Sequence, residues 1–262
     1  MSAVLYTKRA DRLKKNISHL KADALPERIL EAKGVWLRYP SGADVVCDAD
    51  IQVFRGNITM ILGRSGSGKT TLLRGISGII NVSRGSIQWN PDDENCPLPR
   101  VAYIPQTLGL VRSMTALENT LIGVLRDVPG FLSLCNIFPA SVKDKAKKIL
   151  TDLGLSGKID TRVSRLSGGQ RQRVAIARAL IQDPDLILAD EFVSHLDAVT
   201  TEEILLMMKN LAETGISFLV TTHDVELAQR FADRVIIMNH GRIVLDDDAD
   251  NLSCPVLIGL IK

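Results

Sequence analysis

NITMILGRSGSGKTTLLRGI, residues 57–76, passes through three textures: an apolar run to Leu62, a glycine-rich loop, and then Thr71, Leu72, Leu73 and Ile76 at helical spacing. Strand, loop and helix in that order are what the phosphate loop G-x-x-x-x-G-K-[ST] needs. Gly63, Arg64, Ser65, Gly66, Ser67, Gly68, Lys69 and Thr70 match the pattern without a gap. The glycines let backbone N–H groups wrap around a β-phosphate, and the helix start adds the positive end of its dipole. Lys69 has the reach for the β- and γ-phosphates, Thr70 offers a hydroxyl to Mg²⁺, and Thr71 joins them as a nucleotide contact. The bland alternative is a glycine-rich turn with no ligand.

Upstream, ILEAKGVWLRY from Ile29, a Ser41-Gly42 turn and ADIQVF read as short, mostly antiparallel strands. Between Thr107 and Arg165 the texture is helical, with TALENTLIGVL and VKDKAKKILTDLGL and no convincing strand. Strands return as continuous apolar runs, LILA (Leu186–Ala189), ISFLV (Ile216–Val220) and RVIIM (Arg234–Met238), which suit a parallel sheet buried on both faces. Asn239-His240-Gly241-Arg242 followed by IVLDD reads as a terminal hairpin.

LILADE ends a buried strand with two carboxylates, where open α/β sheets keep their ligands. Asp190 is suited to hold Mg²⁺ through water, and Glu191 to orient and deprotonate a water that attacks the γ-phosphorus. Adjacent acids at a strand end are otherwise ordinary solvated turn residues. In SRLSGGQRQR, residues 164–173, Ser167 and Gln170 fit a capping box at the start of a second helix. A cap alone needs no glycines, yet Gly168 and Gly169 clear side chains from the turn where a phosphate could meet free N–H groups.

LSGGQ at Leu166–Gln170, taken with the phosphate loop and LILADE, resembles the ATPase subunit of ABC transporters, and the resemblance runs from Ile29 to about Asp248. It implies an α/β P-loop NTPase of RecA-like type: a parallel core sheet, an antiparallel β subdomain and a helical subdomain inserted at about 107–170, all in one ATPase domain over 29–262. It also implies a homodimer facing head to tail, in which Ser167, Gly168, Gly169 and Gln170 of one copy close over the ATP held by the other. Tyr39 in LRYP falls where the family stacks a ring on adenine, although a strand tyrosine alone is usually packing. Gln106 in YIPQ matches the glutamine that joins the Mg²⁺ site to the helical subdomain and senses the γ-phosphate. His223 in VTTHD matches the histidine that contacts the γ-phosphate and helps hold the attacking water. Asp197 is expected at the dimer seam. Two departures stand out. Phe192 follows Glu191 where a proline is usual, which puts the stiffness of that loop in question, and His195 replaces a small residue, read as a surface substitution rather than a second base.

The chain has 262 residues, 45% of them apolar, enough for a substantial core. A net charge of +2 gives no global basic field, which argues against nucleic acid as a partner. Cys47, Cys96, Cys135 and Cys254 are widely spaced and suit a reducing compartment rather than a disulfide scaffold or zinc site. No apolar run approaches membrane-spanning length, Pro255–Ile261 being far too short. The basic stretch around Lys8, Arg9, Arg12, Lys14 and Lys15, within an extension over 1–28, lacks the apolar core of a secretory signal; it reads as a solvated appendage, with membrane-surface docking or targeting as alternatives.

One nucleotide site, no fused membrane spans and no long regulatory region after the hairpin suit an importer whose separate permease subunits sit on two such ATPases at the cytoplasmic face of the membrane, fed by a substrate-binding protein. LENTLIGVL (Leu117–Leu125) and VPGFLSLCNIFPAS (Val128–Ser141) resemble the phosphonate and phosphite importer subgroup. Phe131, Leu132, Leu134, Ile137 and Phe138 form either internal packing or a groove wall for a coupling helix. Polar amino acid, metal-ion or lipoprotein transport are alternatives for the cargo. A soluble ABC ATPase acting on DNA or ribosomes is more distant, since no long coiled coil and no second cassette are present. An ATP-binding regulatory module without turnover is disfavoured by Glu191.

Overall fold

The computed structural model describes residues 27–40, 42–93, 95–127, 138–194 and 196–261. The basic extension up to residue 26, Phe131, Leu132, Leu134 and Ile137 of the insertion, and His195 lie outside the described residues.

Two sheets carry the fold. In the smaller, β1 (Arg28–Arg38) lies between β2 (Asp44–Phe54) and β4 (Val82–Trp89), antiparallel to both. The expectation of short strands fails here, for β1 and β2 each run 11 residues. Register shifts between Ala32 and Val35 and again near Leu37 let the pair bend without parting. The first half of β2 was hidden by its polar residues, and Asp48 takes a left-handed φ of 55°. β4 carries little periodicity because Ser83, Arg84, Gly85 and Ser86 are all exposed.

The larger sheet has the order β5-β6-β7-β3-β8-β9, built from β5 (Val101–Ile104), β6 (Leu186–Asp190), β7 (Ser217–Thr222), β3 (Ile58–Leu62), β8 (Arg234–Asn239) and β9 (Arg242–Asp248). All neighbours are parallel except β8 and β9, the expected hairpin. Its turn residues His240 and Gly241 have φ of 46° and 77°, the double left-handed conformation that a tight hairpin favours.

Strand alternation divides the core in two. Met60, Ile187, Val220 and Ile237 face one apolar layer, against α4 (Gly168–Leu180), α5 (Ala198–Glu213) and α6 (Val225–Phe231). Their neighbours Ile61, Leu188, Leu219 and Ile236 face the other, against the small sheet and α1 (Lys69–Ile76). Strands sandwiched this way read as unbroken apolar runs, which is why they were legible.

Between β5 and α4 come α2 (Ala116–Leu121), a 3₁₀ turn (Ile122–Asp127) and α3 (Ala140–Asp152). Thr115 and Glu118 form a reciprocal capping box on α2. Phe138 is buried among Leu121, Val124, Ala146 and Ile181, so it packs internally and is no groove wall. The apolar segment at the end of the described chain forms α7 (Cys254–Ile261), whose Leu257 joins the main core. Among the described residues no helix is long and apolar enough to cross a membrane.

Candidate functional site

Strand pairing brings the candidate residues to one edge. Leu62, which leads into the phosphate loop, is in register with Thr222, and Asp190 with Thr221. Ile104, two residues before Gln106, pairs with Ala189. The carboxyl ends of β3, β5, β6 and β7 therefore meet, the crevice in which parallel sheets hold ligands.

The loop between β3 and α1 requires its glycines for packing as well as for conformation. A Cβ on Gly63 would stand 2.3 Å from the carbonyl oxygen of Met238. Gly68 caps α1 at φ 105°, a conformation that costs other residues strain. Lys69 is 4% exposed, and its ammonium donates to the carbonyls of Gly63 (2.7 Å) and Arg64 (3.1 Å). The same Nζ lies 3.5 Å from Glu191 Oε1.

Asp190 is 2% exposed. Its Oδ1 accepts from the hydroxyls of Thr70 (3.0 Å) and Thr221 (2.7 Å), and its Oδ2 lies 3.5 Å from the Tyr103 hydroxyl. Glu191 takes a left-handed φ of 40°, unusual for a residue with a side chain. Its N–H donates to Thr221 Oγ1 (2.9 Å), so one threonine fixes both acids. Gln106 Nε2 donates to Glu191 Oε2 at 3.2 Å. His223 is exposed in the two-residue link between β7 and α6, beside Asp224, which caps α6 through the Leu227 N–H (3.0 Å).

Tyr39 is half-buried next to the loop, its hydroxyl 3.4 Å from Thr71 Oγ1 and accepting from Arg74 at 3.2 Å. Hydrogen bonds donated to Tyr103 first, then to Tyr39, hold the Arg74 guanidinium above its ordinary pKa. Burial, and next the charge of Asp190, push the Tyr103 hydroxyl up. Tyr39 and Arg74 also line a cleft of about 450 Å³ closed by Ile79, Ile80 and Val82.

Ser167 and Gln170 make the expected capping box, with Ser167 Oγ accepting from the Gln170 N–H (3.3 Å) and Gln170 Oε1 accepting from the Ser167 N–H (3.0 Å). The glycines between them have a reason within the chain. A Cβ on Gly169 would come within 2.4 Å of Thr200 Cγ2, and one on Gly168 within 3.1 Å of Leu196 Cδ2. Contrary to the expectation that a cap alone needs no glycines, packing against the start of α5 demands Gly169. Asp197 caps α5, accepting from Thr200 N (2.9 Å) and Thr200 Oγ1 (2.7 Å), bonds that lower its pKa. The Ser167–Gln170 turn packs against Leu196 and Thr200 at the start of α5.

Phe192, the departure from proline, is 1% exposed and sits in the main core. Its loop is anchored by that burial and by Ser194, whose N–H and hydroxyl both donate to the Glu191 carbonyl (3.2 and 2.7 Å). Thr221, Tyr103, Arg74, Thr200 and Gln172 were not singled out from sequence. Thr221 lies in VTTHD, Gln172 in SRLSGGQRQR and Tyr103 opens YIPQ, each within two or three positions of a chosen residue.

A Mg²⁺-bound triphosphate fits these residues. Ser67 Oγ is buried within the loop with no hydrogen-bond partner. The Thr70 hydroxyl, the Asp190 carboxylate and the Gln106 amide offer hard oxygen donors. Among the described residues no group of three or more His, Cys, Asp or Glu could hold a metal ion.

A family model described as ABC transporter matches residues 46–194. The phosphonates import ATP-binding protein PhnC of Thiobacillus denitrificans is 37% identical over 234 residues, spanning 87% of this chain and 90% of that protein. PhnC 1 of Natronomonas pharaonis is 40% identical over 223 residues, 84% of this chain and 94% of that one. Among solved structures, the ADP conformation of MJ1267, an ATP-binding cassette of an ABC transporter, superposes with a TM-score of 0.77 at 28% identity, covering 89% of this chain and 98% of its own. A dimeric bacterial ABC transporter cassette, MJ0796, gives 0.70 at 28% identity, with 84% and 98% covered. By architecture, site and likeness, the chain belongs to the ABC transporter family, as one of its ATP-hydrolysing, ATP-binding subunits.

Proposed function

We propose that this chain powers import of a phosphonate-type oxyanion: it works as a homodimer under separate permease subunits at the cytoplasmic face of the membrane, supplied by a substrate-binding protein. The ATPase unit spans 29–262, with about 107–170 as its helical subdomain. The cargo assignment is supported by the names of relatives matched over most of their length.

The observation that carries the reaction is the convergence of Lys69, Thr70, Asp190, Glu191 and Gln106 at one sheet edge. Phosphate oxygens replace the carbonyls and carboxylate that now surround the Lys69 ammonium, which removes that cation from Glu191. Glu191, freed but still held at its backbone, accepts a proton from the attacking water as the water oxygen bonds to the γ-phosphorus. The bond to the β–γ bridging oxygen breaks and ADP leaves. Thr70, Asp190 and Gln106 would hold a Mg²⁺ ion, which would supply charge neutralisation for the phosphate oxygens. His223 and Gln106 orient the water and the γ-phosphate, Tyr39 stacks on adenine, and Ser67 and Thr71 complete the cradle. Ser167, Gly168, Gly169 and Gln170 present their free N–H groups to the partner copy's nucleotide, with Asp197 at the seam.

Vesicles carrying the permease, this chain inside and the binding protein outside test the cargo. Alkylphosphonate should stimulate ATP hydrolysis several-fold. Stimulation by polar amino acids or metal ions alone, or recovery of the chain with ribosomes and never with membrane protein, would overturn the assignment.

A further inference from the structure

We infer that Gln172 is a positioning residue for Glu191, and that it links the helix start facing the partner's nucleotide to the general base of its own chain. The inference rests on the roles proposed above for Glu191 and for the Ser167–Gln170 turn.

Gln172 stands on the first turns of α4 and is 6% exposed. A buried side-chain amide needs partners, and its Nε2 donates to the carbonyl oxygen of Phe192, the residue directly after Glu191. Glu191 itself sits at φ 40°, a conformation that its surroundings must impose. Thr221 from β7 holds its N–H, Ser194 from the same loop holds its carbonyl, and the buried Phe192 ring pins the next residue. Among these restraints Gln172 is the one supplied by α4. It matters more here because residue 192 is not proline, so no ring fixes the backbone angle after Glu191.

The same helix start meets the far end of the loop. Leu196 packs against Gly168 and Thr200 against Gly169, closely enough that neither glycine has room to spare. The first turns of α4 thus grip the 191–200 segment at both ends. When that helix start closes on the partner's triphosphate, the grip carries the movement to Glu191, so each site prepares its base in response to the other.

Gln172→Met keeps length and shape but removes the donor, and Gln172→Glu offers only an acceptor to a carbonyl. Both should lower kcat by about tenfold or more while leaving KM for ATP within about twofold, the split expected for an effect confined to the chemical step. In a Glu191→Gln background, Gln172→Met should still form the ATP-bound dimer seen by gel filtration, because closure needs α4 but not an aligned base. Wild-type kcat in both variants overturns the proposal. So does loss of ATP-dependent closure, or failure of both variants to fold, either of which makes Gln172 a structural support of the helix. If Glu191→Gln alone never dimerises, the shared-site reading and the transmission between sites fall together, while the kcat of Gln172→Met still decides whether Gln172 positions Glu191.

Discussion

Replacing Gly169 by alanine places a methyl 2.4 Å from Thr200 Cγ2, well inside contact distance. Overpacking of this kind costs about 1–3 kcal/mol, and alanine's better helix propensity returns about 0.5–1 kcal/mol, for a net loss of roughly 1–2 kcal/mol. In a chain of this size each kcal/mol corresponds to a melting shift of about 2–4 °C. Gly169→Ala should therefore melt about 2–8 °C below the wild type. Thr200→Ser removes the offending methyl and keeps the hydroxyl that donates to Asp197 at 2.7 Å. The nearest remaining Thr200 atoms would be Cβ at 3.8 Å and Oγ1 at 3.9 Å, ordinary contacts. The double variant should thus melt within about 2 °C of Thr200→Ser alone, a coupling of about 1 kcal/mol or more. Thermal melts followed by circular dichroism read all four proteins. A Gly169→Ala protein as stable as the wild type, or a double variant no better than Gly169→Ala, would refute the packing argument. ATP hydrolysis separates the two reasons proposed for the glycine: turnover that returns with stability in the double variant assigns it to packing against Thr200, and turnover that stays low assigns it to the proposed contact with the partner's nucleotide.

Other predictions concern the site and its support. Lys69→Ala should abolish nucleotide binding in a fluorescent-ATP titration, since the γ-phosphate charge is left uncompensated; unchanged affinity would contradict the phosphate-loop assignment. Phe192→Ala should destabilise the chain by about 3–5 kcal/mol in urea unfolding, as expected for a buried aromatic ring; a loss below about 1 kcal/mol would mean that the loop is anchored elsewhere. The Asp197 carboxylate has a pKa lowered by its bonds to Thr200, so its cap is present above the unfolded value of about 4 and fades as pH falls through the lower folded value. The melting difference between wild type and Asp197→Ala should shrink below about pH 4, and a difference independent of pH would exclude the charged cap.

The doubly buried strands were legible because burial on both faces leaves short, continuous apolar runs. The phosphate loop and the capping box were legible because their chemistry is local, set by residues within one turn of each other. What escaped were β4, whose solvent-facing residues carry no period, β5, at only four residues, and α7, whose apolar stretch was weighed only against a membrane. In the site, Thr221, Tyr103 and Gln172 act through partners 31, 87 and 20 positions away along the chain. Such pairings are made by strand register and helix packing, which no local pattern encodes. Gly169 was singled out for a phosphate, whereas its contact with Thr200 appears only once α4 and α5 are packed.

Two copies of this chain that complete one another's ATP sites should reveal themselves in the mass of Glu191→Gln, measured by light scattering with Mg-ATP. Binding survives in this variant while water activation is lost, so ATP should hold a stable dimer that ADP does not, and adding Ser167→Arg should return it to monomer. A Glu191→Gln protein that stays monomeric at saturating Mg-ATP, or one whose dimer persists with arginine at position 167, would contradict the account.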